Sequence, residues 1–264
     1  MGKEVIMEMP VLFVGHGSPM NAIEENAFTR ALTGLRERLP RPKAVCVVSA
    51  HWVTDGAEVL TVAQPRTIHD FYGFPRPLYE VKYPAPGAPE EALQVAKELQ
   101  VQTDETWGFD HGAWSVLVHL YPQADVPVFQ VSLDQRRSLK EHLALGEELR
   151  SLRQRGALIL GSGNIVHNLG KVQPAADAKP FDWTLEFDAK VKGAIEARDV
   201  QSLATPAAWG AALLATAHPT LEHYVPLLYC MGSTSGKDVV TYPHEGFDFG
   251  SISMRMVLFQ EQPS

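Results

Sequence analysis

Short apolar runs, several of them rich in β-branched residues, recur along the chain at intervals typical of strands. Two of these runs, residues 45–48 and 158–160, are continuously apolar, as expected for strands buried on both faces of a sheet. The last two runs lie close together in sequence and could pair antiparallel. The predicted strands are 11–14, 44–49, 58–62, 126–133, 157–160, 239–242 and 252–259.

The stretches between these runs carry apolar residues three and four positions apart, which predicts helices that each bury one face. The predicted helices are 22–38, 90–99, 138–153, 181–198 and 206–214. Pro219 occupies a plausible first-turn position and opens a further helix. Alternating strands and helices predict an α/β fold, a sandwich with a central mixed, mostly parallel β-sheet flanked by helices. Because no internal repeat or low-complexity linker interrupts the pattern, we expect residues 1–264 to form a single domain.

The composition is that of an ordinary soluble globular protein, with 45% hydrophobic and 20% charged residues. A net charge of −8 argues against nucleic acid or an anionic membrane as a partner, since both require a basic surface. Two cysteines are too few for a disulfide framework. We find neither a signal-peptide pattern nor a run of about 18 apolar residues, so we expect a cytoplasmic protein.

Four histidines occupy positions from which side chains distant in sequence can converge. They are His16, His51, His167 and His223. The first three follow the apolar runs 11–14, 44–48 and 157–160, and the fourth lies in the first turn predicted after Pro219. A parallel sheet gathers functional groups at the carboxyl ends of its strands, and imidazole is the commonest metal ligand. The sequence therefore predicts a metal site.

Other metal-site and catalytic patterns fit less well. The chain has no paired cysteine ligands of a zinc finger and no H-E-x-x-H motif of a zincin protease. Residues 161–164, Gly-Ser-Gly-Asn, lack the spacing of a nucleophile elbow and are better explained as a tight turn that presents His167. His119 and His142 are expected to be core or surface residues, and the roles of His218 and His244 stay open.

The segment 64–87 combines few periodic signals with many turn residues and aromatic side chains. Long irregular segments within compact domains are usually functional or mobile. His69, Phe71 and Tyr72 are therefore candidates for a pocket wall against a flat ligand. The alternative is a surface loop that packs on its own aromatic residues.

Six blocks of sequence stand in order along nearly the whole chain: GHGSPMN at 15–21, SAHW at 49–52, HDFYGFP at 69–75, GFDHG at 108–112, GSGNIVHNL at 161–169 and PTLEHY at 219–224. Together they resemble the LigB-type aromatic ring-opening dioxygenases. The resemblance is closest to the bacterial and plant DOPA 4,5-extradiol dioxygenase group. Six blocks in order are much more specific than any one of them.

The resemblance implies a single catalytic domain that opens a catechol ring beside a hydroxyl group with O2. It implies Fe(II) as the active metal, with Zn(II) sometimes present in purified members. By motif, His16 and His51 match metal ligands. His167 matches an acid/base catalyst or, with zinc, an additional ligand, and His111 matches a second histidine beside the substrate.

The third ligand is either Glu222 or His223. Another branch of the superfamily uses a glutamate there, whereas the DOPA-type branch uses a histidine. Adjacent residues of a helix point about 100° apart, so only one of the two should reach the metal. We select His223.

Two other functions remain alternatives. A histidine-rich site could activate water in a zinc-dependent hydrolase, which would consume no O2. The same fold also includes proteins resembling the Memo group, which act as non-enzymatic interaction proteins. The expected partners are a small aromatic catechol and O2, and a homo-oligomer is left open.

Overall fold

The computed structural model describes residues 8–262, in which strands and helices alternate as expected. The strands are β1 (Val11–Gly15), β2 (Ala44–Thr54), β3 (Glu58–Leu60), β4 (Arg66–Thr67), β5 (Gln102–Asp104), β6 (Gly108–Phe109), β7 (Val128–Asp134), β8 (Ala157–Gly163), β9 (Asp238–Thr241), β10 (Phe247–Asp248), β11 (Ile252–Ser253) and β12 (Met256–Glu261). The helices are α1 (Ala27–Arg38), α2 (Arg76–Glu80), α3 (Pro89–Leu99), α4 (His111–Leu120), α5 (Leu139–Leu149), α6 (Ser151–Arg155), α7 (Asp182–Glu196), α8 (Val200–Leu203), α9 (Ala211–Ala217) and α10 (Val225–Ser233).

Eight of the strands form one sheet in the order β5-β3-β7-β2-β8-β1-β12-β9. The four central strands, β7, β2, β8 and β1, run parallel to one another. Strand β12 pairs antiparallel with both β1 and β9, and β3 pairs antiparallel with β7. The predicted mixed, mostly parallel sheet is confirmed, as is the antiparallel pairing of the closing strands.

Both faces of the sheet carry an apolar core, because successive side chains of a strand point to opposite sides. From β1, Phe13 packs in one buried cluster with Leu143 of α5 and Leu227 of α10. Its neighbour Leu12 packs in the other with Leu32 of α1 and Leu117 of α4. This two-sided burial explains the continuously apolar strands and confirms the α/β sandwich. Within residues 8–262, no helix is long and apolar enough to cross a membrane.

Helix boundaries differ from the prediction where a local cap or a proline determines the start. Helix α1 begins at Ala27, not at residue 22, because Asn26 forms a capping box with Thr29. The predicted helix at 138–153 is divided into α5 and α6 at Arg150. The predicted helix at 206–214 is interrupted at Gly210, where φ is +130°.

The helix predicted at Pro219 is wrong. Residues 219–224 form turns, and α10 begins only at Val225. Pro226 then occupies the first-turn position that the sequence suggested for Pro219. His223 therefore lies in the turn before the helix, and the helical angle between adjacent residues does not apply to it.

Two strands also depart from the prediction near the histidines. Strand β8 continues through Gly163, so the tight turn predicted at 161–164 is wrong. Strand β2 extends to Thr54, and its register with β7 shifts between Val48 and Val53. His51 lies within this irregular stretch. Irregular strand segments of this kind re-aim side chains beside active sites.

Candidate active site

Five imidazoles converge at the carboxyl end of the central sheet. They belong to His16, His51, His111, His167 and His223, and all five line one cavity of about 540 Å³. The ring centroids of His51 and His111 are 3.8 Å apart, and those of His16 and His223 are 5.4 Å apart. Strands β1, β2 and β8 end here, as the parallel topology predicts. A cavity of this size is typical of a small-molecule site.

His16 is held in one tautomer by a serine. The Ser162 hydroxyl donates its only proton to the Gly112 carbonyl at 2.6 Å, so it accepts from His16 Nδ1 at 3.0 Å. The proton of a neutral His16 ring therefore lies on Nδ1, and Nε2 carries a lone pair. His16 Nε2 lies 3.0 Å from His51 Nε2. Two ring nitrogens thus meet at one point of the cavity.

His223 enters the cluster through close backbone packing of its turn against β8. The Asn164 N–H donates to the His223 carbonyl at 2.8 Å. A Cβ atom on Gly163 would lie 2.2 Å from that same carbonyl oxygen, so only glycine allows this approach. The nitrogen atoms of His16, His51 and His223 form a set that lies mutually within 4.8 Å.

Glu222 does not line the histidine cavity. It lines a different cavity of about 530 Å³, together with His142 and Arg137. Its Oε1 accepts from the Thr220 hydroxyl at 2.7 Å and lies 3.4 Å from His223 Nδ1. The carboxylate is therefore placed behind the His223 ring.

His167 stacks flat on His223, with ring centroids 3.5 Å apart and planes 8° apart. Its backbone N–H donates to the Ala217 carbonyl at 3.0 Å, and it forms a β-bridge with Ile252. The imidazole therefore reaches the cavity from a segment pinned on both sides, four residues beyond the end of β8.

Burial keeps the imidazoles of His16, His51, His167 and His223 neutral near pH 7. It is the largest cause that lowers the pKa of His16, His51 and His223 well below 6.5, and neighbouring imidazoles lower it further. Burial also lowers the pKa of His167 to about 4. Neutral rings expose nitrogen lone pairs, which are the form that binds a metal or accepts a proton.

Asp70 is a cavity residue that the sequence did not single out. Its Oδ2 lies 2.9 Å from His111 Nδ1 and 3.5 Å from His51 Nδ1. Its Oδ1 accepts from the His111 backbone N–H at 2.8 Å. Burial alone would raise the pKa of Asp70, but the contacts with His111 outweigh that effect and lower it. The only hint in the sequence was its place in the aromatic segment.

Gly112 follows His111 and leaves space for the neighbouring ring. A Cβ at this position would lie 2.5 Å from Ser49 Oγ and 2.9 Å from His51 Cδ2. Asp110, on the other side of His111, caps α4 by accepting from the Ala113 N–H. The start of this helix therefore fixes the backbone of His111 tightly.

The rest of the cavity wall is largely apolar. Besides Phe71 and Tyr72, it includes Phe74 of the same predicted aromatic segment. The sequence did not indicate its other members, Pro19, Leu169, Val172, Phe249 and Ile252. Phe71 meets the His111 ring edge to face at 5.6 Å, whereas Tyr72 is 91% exposed at the mouth. Such a wall suits the flat face of an aromatic ligand.

His69 does not line the cavity. Its Nε2 donates to the Val81 carbonyl at 3.0 Å, and its ring contacts those of Phe71 and Trp114. The structure thus places it behind the wall, where it supports Phe71.

The remaining histidines lie outside the cavity and have other partners. His119 Nε2 donates to the Asn21 carbonyl, and His142 Nδ1 pairs with the Tyr229 hydroxyl. His218 Nε2 donates to a backbone carbonyl. The ring of His244 packs against Phe28.

Comparison with known proteins identifies the family. The model of the LigB family, described as "Catalytic LigB subunit of aromatic ring-opening dioxygenase", matches residues 10–255. The chain belongs to the LigB family. It is 42% identical over 268 residues to a 4,5-DOPA dioxygenase extradiol from Escherichia coli (strain K12), with 97% of each chain covered. A 4,5-DOPA dioxygenase extradiol from Beta vulgaris is 37% identical, over 91% of this chain and 92% of its own.

A solved structure has the same fold. The crystal structure of an uncharacterised protein from Escherichia coli K12 superposes with a TM-score of 0.82 at 38% sequence identity. The match covers 95% of this chain and 99% of that one. The family resemblance seen in the six sequence blocks is therefore confirmed.

Proposed function

We propose that this LigB-family protein is a metal-dependent extradiol dioxygenase that opens the ring of a catechol, such as DOPA, with O2. The observation that carries the proposal is the convergence of five imidazoles on one cavity with an apolar aromatic wall. The names of the relatives support the same reaction class. We also propose that the chain forms one catalytic domain, since the family match spans 10–255.

We assign His16, His51 and His223 as the metal ligands. Two nitrogens each about 2.1 Å from one divalent ion, with a right angle between the bonds, lie about 3.0 Å apart. His16 Nε2 and His51 Nε2 are separated by 3.0 Å. The ring nitrogens of His16, His51 and His223 that could bind an ion all lie within 4.8 Å of one another, close enough to share it. The three histidine side chains therefore fit a divalent metal ion.

Histidine ligands bind several divalent metals, and we propose Fe(II) for this site because the reaction requires O2 chemistry. When bound, an Fe(II) ion would supply a Lewis acid that lowers the pKa of the catechol and a redox centre for O2. Zn(II) suits the same ligands and would support no such redox chemistry.

The protein's own groups then position the catechol and move its protons. Phe71 and the opposite apolar wall hold the ring. His111 and His167 both line the cavity and are placed to take a proton from a catechol hydroxyl and return one later in the reaction. His167 is neutral at pH 7 because burial lowers its pKa, so it begins as a proton acceptor.

The test is anaerobic loading with Fe(II), followed by O2 uptake and absorbance of the yellow ring-opened product on a panel of catechols. We expect O2 uptake and product to appear together in a one-to-one ratio. The His51→Ala variant is the matched control that should abolish both. Absorbance that appears without O2 uptake cannot come from a ring-opened product, which contains both atoms of O2. That result, or neither signal with any catechol, would reject the proposed function.

A further inference from the structure

Asp70 contacts His111 twice, which no other carboxylate in the described part of the chain does. One oxygen accepts from the His111 backbone N–H at 2.8 Å, and the other lies 2.9 Å from ring Nδ1. Its side chain is only 18% exposed, and that of His111 is 8% exposed. Two contacts at hydrogen-bond distance fix both the backbone and the ring plane of one histidine.

The two residues are 41 positions apart, and a small parallel ladder holds them together. Strand β4 pairs with β6 through Arg66 with Gly108 and Thr67 with Phe109. The next residue, Ile68, donates to the Phe109 carbonyl at 2.7 Å and accepts from Trp114 Nε1 at 2.8 Å. These bonds set the loop that carries Asp70 beside the start of α4.

We infer that Asp70 is the positioning residue for His111, holding its ring with the proton on Nδ1 and an unprotonated Nε2 in the cavity. A carboxylate accepts hydrogen bonds and does not donate them, so its partner Nδ1 must carry the proton. The neutral ring then keeps its lone pair on Nε2, the nitrogen that Asp70 does not occupy. The inference rests on the proposed function only for what His111 does with that lone pair.

In the proposed reaction, the lone pair would accept one proton from a catechol hydroxyl, leaving the electron pair of the O–H bond on the oxygen. The imidazolium so formed has Nδ1–H beside the Asp70 carboxylate, which stabilises the new positive charge. Removing the carboxylate should therefore change kcat more than it changes KM.

The first measurement needs no substrate and no metal. Long-range 1H–15N correlation spectra of the metal-free protein distinguish protonated from unprotonated ring nitrogens, with the His111 signals assigned by loss in His111→Gln. We expect a protonated Nδ1 and an unprotonated Nε2 at pH 7.5. The opposite tautomer in the wild-type protein would overturn the inference, whether or not the Asp70→Asn variant folds.

The second measurement uses Asp70→Asn. The amide can still accept from the backbone N–H, but its NH2 then faces Nδ1, so the ring should move its proton to Nε2. With saturating Fe(II), we expect kcat to fall by about 100-fold or more, with KM and bound iron within about twofold of wild type. An unchanged tautomer would reject the positioning role. Loss of iron would also reject it, because Asp70 would then act on the metal site, where its Oδ2 lies 3.5 Å from His51 Nδ1.

Asp104→Asn is the matched control. This carboxylate also accepts backbone N–H groups, those of Thr106 and Trp107, but it lies outside the cavity. The Asp104→Asn substitution should leave both the His111 tautomer and kcat unchanged.

The double variant Asp70→Asn/His111→Ala is a further test. We expect its kcat to be no lower than that of His111→Ala alone, because both changes remove the same function. If the wild type turns over no catechol, the proposed function fails, while the tautomer spectra still decide the role of Asp70.

Discussion

Acid should destabilise the folded protein through His218, a buried ring outside the cavity. Its Nε2 donates to the Ile165 carbonyl at 2.7 Å, so the neutral ring has an unprotonated Nδ1. Among residues 8–262 this Nδ1 is buried without a hydrogen-bond partner. The residue is 3% exposed, and burial lowers its pKa to about 4, against 6.5 for an ordinary histidine. A proton on Nδ1 would be buried with no acceptor among the described residues.

The direction and the size of the change in the free energy of unfolding with pH follow from proton linkage. Between pH 6.5 and pH 4 the unfolded chain binds a proton at this histidine and the folded chain does not. The free energy of unfolding therefore falls as the pH falls through this window, and it levels off below pH 4. From pH 7 to pH 5 the loss for one such histidine is about 2 kcal/mol.

The assay is urea unfolding followed by far-UV circular dichroism at pH 7 and pH 5, with EDTA present so that metal does not contribute. The His218→Gln variant should lose about 2 kcal/mol less than wild type between the two pH values. Comparing the two differences cancels the cost of the substitution itself. His142→Gln is the matched variant, since His142 is also 3% exposed and burial lowers its pKa to about 4. If both variants lose as much as wild type, these histidines are not neutral in the folded state.

Three further predictions concern the cavity. His223→Ala should lose bound metal while Glu222→Ala keeps it, as measured by elemental analysis after dialysis, and the reverse result would move the third ligand to the glutamate. His167→Gln should bind iron and catechol but turn over about 10²- to 10⁴-fold more slowly, so near-normal turnover would remove it from proton transfer. Phe71→Ala should raise KM with unchanged metal content, whereas Tyr72→Ala at the exposed mouth should raise it less. Equal KM values for both variants and wild type would reduce the segment to a structural loop.

The sheet could be predicted from sequence because each strand carries its own apolar pattern within a few consecutive residues. The apolar run at 45–48 is buried on both faces, which only a central strand of a sandwich requires. His16 and His51 were then found because parallel strands end on one side. Their convergence needed no knowledge of which strands are neighbours.

The turn before α10 could not be predicted in the same way. The local signals at Pro219 predicted a helix start there, whereas α10 begins at Val225 with Pro226 in its first turn. The turn before the helix instead packs on the end of β8, where the Asn164 N–H donates to the carbonyl of His223, 59 residues away. Asp70 was missed for a similar reason, because its partner His111 lies on another element.

The start of α4 connects these separate parts of the site. Ser49 and Gln130 donate to Asp110, which caps the helix and so fixes the backbone at 111–112. The Gly112 carbonyl then accepts from the Ser162 hydroxyl, and that hydroxyl in turn sets the tautomer of His16. One helix terminus therefore orients the proposed metal ligand His16, which directly follows β1, as well as the proposed proton acceptor His111. A change at this terminus should disturb metal binding and proton transfer together, whereas a change at Asp70 should separate them.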